Sequence, residues 1–215
     1  MVKIELNGEC SDINNLATLL DSETWEINES ETKHYLCSSV FDHLVKSREV
    51  IAIADKYLDH LNGIACIYDF NHTEVKSGSL TRVDQHNKQH VFFFPETGHF
   101  TIQSGTPPPS GKWIEKANKY EKVSDALRYF KKISWLNLYK VYEVISDDVG
   151  LEVVYGYVGK SNIKLFTHNA NNQKATGDDA RHAVNKNLPP KKMLSLKEAH
   201  FLIKELFEKW IATKI

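Results

Sequence analysis

The sequence is poor in cysteine and has no hydrophobic run of membrane-spanning length. Its three cysteines, Cys10, Cys37 and Cys66, are odd in number, far apart and without a Cys-x-x-Cys pair. That excludes a disulfide framework and a zinc ribbon, and reduced thiols in a cytosol are the simplest account. No stretch approaches the ~18 apolar residues of a spanning helix. The start, MVKIELNGECSDINN, lacks the apolar segment of a secretion signal. A cytoplasmic protein with no membrane partner is expected. Also missing are the glycine fingerprint of dinucleotide binding, the P-loop, His-Glu-x-x-His and the nucleophile elbow. Their absence removes the commonest nucleotide-binding and hydrolase readings, so no cofactor and no metal are expected. There is no internal repeat and no low-complexity tract.

Net charge is nearly absent too, at −1, which leaves no global argument for a polyanionic partner. The charge is unevenly spread, however. Residues 1–60 hold five Lys/Arg against twelve Asp/Glu, whereas 112–140 and 181–215 each hold eight against three. Such asymmetry sets a partner-facing side or lets two parts of a chain attract each other. The chain has 215 residues, 41% hydrophobic and 26% charged, which are ordinary globular values. A chain of this size buries roughly 70% of its unfolded surface.

Along the chain, residues 1–38 are acidic and polar, with a short apolar start (Val2, Ile4, Leu6) and a brief helix capped by Ser11 or Asp12. Val40, Phe41, Leu44, Val45, Ile51, Ala54, Leu58 and Leu61 recur at helical spacing, which predicts an amphipathic helix over 40–62 stopped by Gly63. IACIYDF at 64–70, SLTRVD at 79–84, HVFFFP at 90–95 and HFTIQS at 98–103 read as strands of an antiparallel meander. SGTPPPSGK at 104–112 holds three consecutive prolines and reads as a linker. The expected division is therefore 1–104 and 113–215, with a proline-rich linker at 105–112. Beyond it Ser124 is placed to cap DALRYFKKI, and Ser134 to cap WLNLYKVYEVISDD, which Gly150 ends. VVYGYVG at 153–159 fits a strand or a loop, and short helices are expected over 161–169 and 177–186. Ser195 and Glu198 form a capping box ahead of a final apolar-faced helix. The fold expected is α+β: an N-terminal helical part, a small antiparallel β-meander and a C-terminal helical bundle.

Candidate chemistry is sparse. His86 and His90 flank a turn, and that spacing suits a surface turn better than a metal site. Tyr142 sits on an apolar stripe and is assigned to the core. The segment KLFTHNANNQKATGDDARHAVNK at 164–186 gathers Lys164, His168, Asn169, Arg181, His182 and Lys186. Imidazole exchanges protons near neutral pH, and a guanidinium grips a phosphate through paired hydrogen bonds. Together they suit metal-independent RNA cleavage, with one group taking the 2′-hydroxyl proton and the cation stabilising the phosphorane. The competing account is structural: Asn and Asp form turns and caps, and Gly177-Asp178-Asp179 starts a short helix.

The order WLNLYKVYEVI, HNAN, GDDARHA, PP, SLKEA, with LNGIACIYDF and GSLTRVD upstream, resembles a set of small uncharacterised bacterial proteins over about residues 50–213. That resemblance implies no activity. The C-terminal half also resembles HEPN domains, helical bundles that are frequently dimeric and occur in toxins and antiviral systems, many as ribonucleases. Their motif is an Arg followed by a polar residue, with a His some four to six residues on. Arg181-His182 matches the opening pair, and Lys186 stands where the second His would fall; Lys164 and His168 form a second partial match. The resemblance implies a ribonuclease with Arg181, His182, His168 and Asn169 as catalytic residues. The leading expectation is a soluble binding or scaffold protein of a bacterial or phage conflict system, with a protein partner or a homodimer. A non-specific nucleic-acid binder using the two basic stretches, with Lys164, Lys186, Lys191 and Lys192 as its contacts, is the remaining reading, and RNA is a further candidate partner.

Overall fold

The computed structural model describes residues 2–20, 22–30, 32–83, 89–92, 110–181, 188 and 190–215. The chain forms two compact units, Met1–Ile114 and Glu115–Ile215. It is α+β, with the strands in the first unit and a helical second unit.

The first unit is built on a five-stranded antiparallel sheet. Its strands are β1 (Val2–Asn7), β2 (Trp25–Ser30), β3 (Lys33–Ser38), β4 (Lys76–Val83) and β5 (Gln89–Phe92), in the order β2-β3-β1-β4-β5. Alternation explains β1: Val2, Ile4 and Leu6 are buried while Lys3 and Glu5 take the other face. The register pairs Ile4 with Leu36 of β3 and with Leu80 of β4, all three fully buried. Helices α1 (Cys10–Leu19) and α2 (Ser47–Tyr68) supply the rest of this core through Ile13, Leu16, Val50, Leu61 and Ile64.

Three expectations change here. The polar stretch before residue 39 contains the β2–β3 hairpin, whose β2 sits at one end of the sheet with mostly exposed residues, so polarity masked it. The helix expected over 40–62 is instead a 3-10 turn at Ser39–His43 followed by α2, and α2 runs through Gly63 to Tyr68. The strand expected at 64–70 is therefore mostly helix. A short apolar run has no period of its own, and here Ile64, Ala65 and Ile67 prolong the buried side of α2. SLTRV at 79–83 lies on β4, which begins earlier than expected, at Lys76, and β5 takes the start of HVFFFP; Asp84 lies outside the described residues. HFTIQS, His86 and most of the expected linker lie outside the described residues, while 110–112 open helix α3 (Ser110–Lys119).

The second unit continues from α3 through α4 (Glu121–Phe130), α5 (Trp135–Val149), α6 (Leu151–Val158), α7 (Lys160–Ala170), α8 (Gln173–Thr176) and α9 (Leu196–Ala212). Ser134 caps α5 by accepting the Asn137 N–H at 3.2 Å, and the Ser195–Glu198 capping box opens α9. Helix α4 starts earlier than expected, at Glu121 rather than at a Ser124 cap. VVYGYVG resolves as helix, set off by Gly150 (φ 82°) and Gly159 (φ 87°), a backbone geometry essentially reserved for glycine. Leu138, Ile145, Phe166, Ile203, Phe207 and Trp210 are fully enclosed. Asp148 ties α5 to α9, accepting the Trp210 indole N–H at 2.7 Å and pairing with Lys214. Burial alone would raise its pKa, but the Lys214 and Trp210 hydrogen bonds outweigh that and hold it below the usual carboxylate range.

Candidate functional site

The polar segment centres on the last turn of α7. Ile163, Phe166 and Ala170 bury one side of that helix, against Trp135, Tyr139 and Tyr142 of α5; the Phe166 ring centroid lies 6.1 Å from that of Trp135. Tyr142 is buried, as its place on the apolar stripe requires.

Asn169 falls on the buried side and is fully enclosed. Its amide donates to the Leu165 carbonyl at 2.9 Å and the Lys192 carbonyl at 3.2 Å, and its oxygen accepts the Leu194 N–H at 3.1 Å. Asn172, also buried, donates to the Leu188 carbonyl at 3.2 Å. His168 is exposed and donates from Nε2 to that same carbonyl at 2.9 Å; a carbonyl only accepts, so Nε2 carries the proton. Arg181 reaches the same place through its backbone, its N–H donating to the Ala170 carbonyl at 2.9 Å. Its side chain turns to α5, where the guanidinium pairs with Glu143 at 2.8 Å and lies 4.5 Å from the Tyr139 ring centroid. Asp179 accepts the Trp135 N–H at 2.7 Å, at the start of α5.

The structure thus brings His168, Asn169, Arg181, Lys191 and Lys192 to one end of α7, but the side chains of His168 and Arg181 engage different groups. Lys164, Lys191 and Lys192 are exposed. His182 and Lys186 lie outside the described residues. Asn169 acts as a buried strut that fixes the 192–194 segment. The spacing of HNANN carries a hint of this, since one Asn lands on the apolar side of the helix.

A second polar centre, in the first unit, went unread in the sequence. Asp12 of α1 and His72 are both fully enclosed, with Nδ1 of the ring 3.1 Å from a carboxylate oxygen. The Thr73 hydroxyl donates to the other oxygen. His72 Nε2 donates to Asn62 Oδ1 at 2.9 Å, and Asn62 also bonds both backbone groups of Val75 at 2.8 Å. With Nε2 committed as a donor, Asp12 and His72 must hold one proton between them, because a bare lone pair facing a carboxylate is repulsive. Burial pushes the His72 imidazole down, against the pull of Asp12. Burial likewise pushes the nearby Cys66 thiol up, which disfavours a nucleophilic thiolate. This centre locks α1, α2 and the 69–75 segment together without access for a reactant.

Among the described residues no group of three or more His, Cys, Asp or Glu side chains is placed to hold a metal ion, and no helix is long and apolar enough to cross a membrane. Comparison with family models, with curated proteins and with solved structures finds no match.

Proposed function

We propose that the protein is a non-catalytic binding or scaffold module. The observation that supports this reading is the occupation of the polar segment by the chain itself. The Asn169 amide makes three hydrogen bonds to backbone groups, Arg181 is paired with Glu143 and stacked on Tyr139, and Asp179 serves α5. Residues so engaged hold a fold, whereas a nuclease needs its base and its cation turned to a shared phosphate. The setting in a bacterial or phage conflict system rests on the HEPN resemblance and stands or falls with it.

One observation favours the ribonuclease reading: the Arg181 backbone is bonded to α7 two residues beyond His168. Incubation of the full chain with labelled single-stranded RNA, without divalent metal, separates the two. The binding module leaves the RNA intact. Cleavage lost in both Arg181→Ala and His168→Ala, with unchanged circular dichroism, establishes the nuclease instead.

A further inference from the structure

We infer that the exposed side of α7, continued by Lys191 and Lys192, is a docking surface for single-stranded RNA. The inference rests on the binding-module reading and names its partner. Lys160, Lys164 and His168 are exposed at four-residue intervals, so they lie in a row with about 6 Å of rise between neighbours. Asn169 then holds the Lys192 carbonyl and the Leu194 N–H at the end of that row, which seats Lys191 and Lys192 as its continuation. A fully buried amide spent on fixing this segment gives the lysines a defined place.

Acidic groups are scarce around the row. Residues 153–197 hold eight Lys/Arg, with Asp178 and Asp179 their only acids. Asp179 is used at the start of α5; of the two acids that flank this stretch, Glu198 is taken up by the capping box with Ser195, and Glu152 lies in the first turn of α6. Phosphates therefore meet several cations and little repulsion. At the start of the row Lys160 stands over the half-buried Tyr155 ring, 5.1 Å from its centroid. A base that stacks on that face takes the place the ammonium now covers, with the lysine moving to a phosphate of the strand. His168 selects RNA over DNA. With Nε2–H given to the Leu188 carbonyl, Nδ1 is the ring nitrogen left to meet a ligand, and the 2′-hydroxyl, which both donates and accepts, is the group that DNA lacks.

The test is fluorescence anisotropy of the full chain with a labelled oligouridine of about twenty nucleotides at about 50 mM salt. Contact with about four phosphates gives a slope of log affinity on log salt near −3. Lys160→Gln/Lys164→Gln lowers affinity about tenfold or more. Lys132→Gln/Lys140→Gln, which removes the same charge elsewhere in the second unit, changes it less than about twofold. His168→Phe narrows the preference for RNA over the matching deoxythymidine strand. Absence of RNA binding, equal losses in the two lysine pairs, equal RNA and DNA affinity, or binding only to phosphatidylserine vesicles each overturns the inference. Absence of binding leaves the non-catalytic reading standing. Binding accompanied by cleavage supports the docking surface and overturns the non-catalytic reading instead.

Discussion

Replacing Asn169 by Ala separates a structural role for the α7 terminus from a catalytic one. The substitution removes the partner of the Leu194 N–H and of the Lys192 carbonyl, both bonded to a side chain that is fully enclosed. A buried group left without its partner costs about 1–3 kcal/mol. The third bond, to Leu165, matters less, because that carbonyl lies within α7 and has a helical donor as well. Two orphaned groups therefore cost about 3 kcal/mol in total. For a chain of this length unfolding as one body that lowers Tm by at least about 6 °C, and by more if the second unit melts alone. Far-UV circular dichroism follows the loss, since the second unit is helical. Asn169→Asp should add a pH signature. Its carboxylate would face the Leu165 and Lys192 carbonyls, so the folded state raises its pKa, and the variant loses stability as pH rises above about 4. An Ala variant that melts within about 2 °C of the parent refutes the strut.

Three further outcomes follow from groups with defined surroundings. Burial, reinforced by Lys56, holds His60 at about 4 against an ordinary 6.5. On acidification the unfolded chain takes up that proton first, so stability is complete above pH 6.5 and falls towards pH 4 by about 3 kcal/mol. Urea midpoints across this range should drop less steeply in His60→Gln; parallel slopes would contradict the assignment. Asp148→Ala strips the fully buried Trp210 indole of its acceptor and should cost about 2 kcal/mol, read from the tryptophan-fluorescence unfolding midpoint. Gly159→Ala meets no crowding beyond the Asn162 amide at 3.5 Å, yet φ is +87°, so a loss of about 1–3 kcal/mol in calorimetry is expected from backbone strain alone.

What could be read from the sequence was whatever local chemistry dictates. Ser134, Gly150 and the Ser195–Glu198 pair mark helix ends through bonds made within a few residues, and each lies where the pattern put it. Helix α9 was legible because its apolar period is long enough to be unambiguous, and β4 because a short stretch with β-branched residues is bounded by polar turns. The β2–β3 hairpin was not, because β2 at the end of the sheet keeps little apolar surface inward beyond Trp25 and Ile27. Trp25 earns its burial far along the chain, stacking on Tyr57 at 3.9 Å between ring centroids. The Asp12–His72–Asn62 centre was equally hidden, its members joined across as many as sixty residues by packing that no local pattern announces. The segment 164–181 stood out as polar, but whether its Asn and Arg serve the fold or a reactant depends on which backbone groups arrive beside α7.

The sheet order carries a consequence for how the molecule is made. β1 is the first of the sheet's five strands in chain order, yet it occupies the middle position, between β3 and β4. Until residue 83 has left the ribosome, one margin of that strand lacks its mate, and its inward Val2, Ile4 and Leu6 await a lid that α2 must first carry into place. A ribosome stalled within α2 would leave a three-stranded fragment with an open hydrogen-bonding rim. That nascent species is the one for which a chaperone or a premature neighbour would compete.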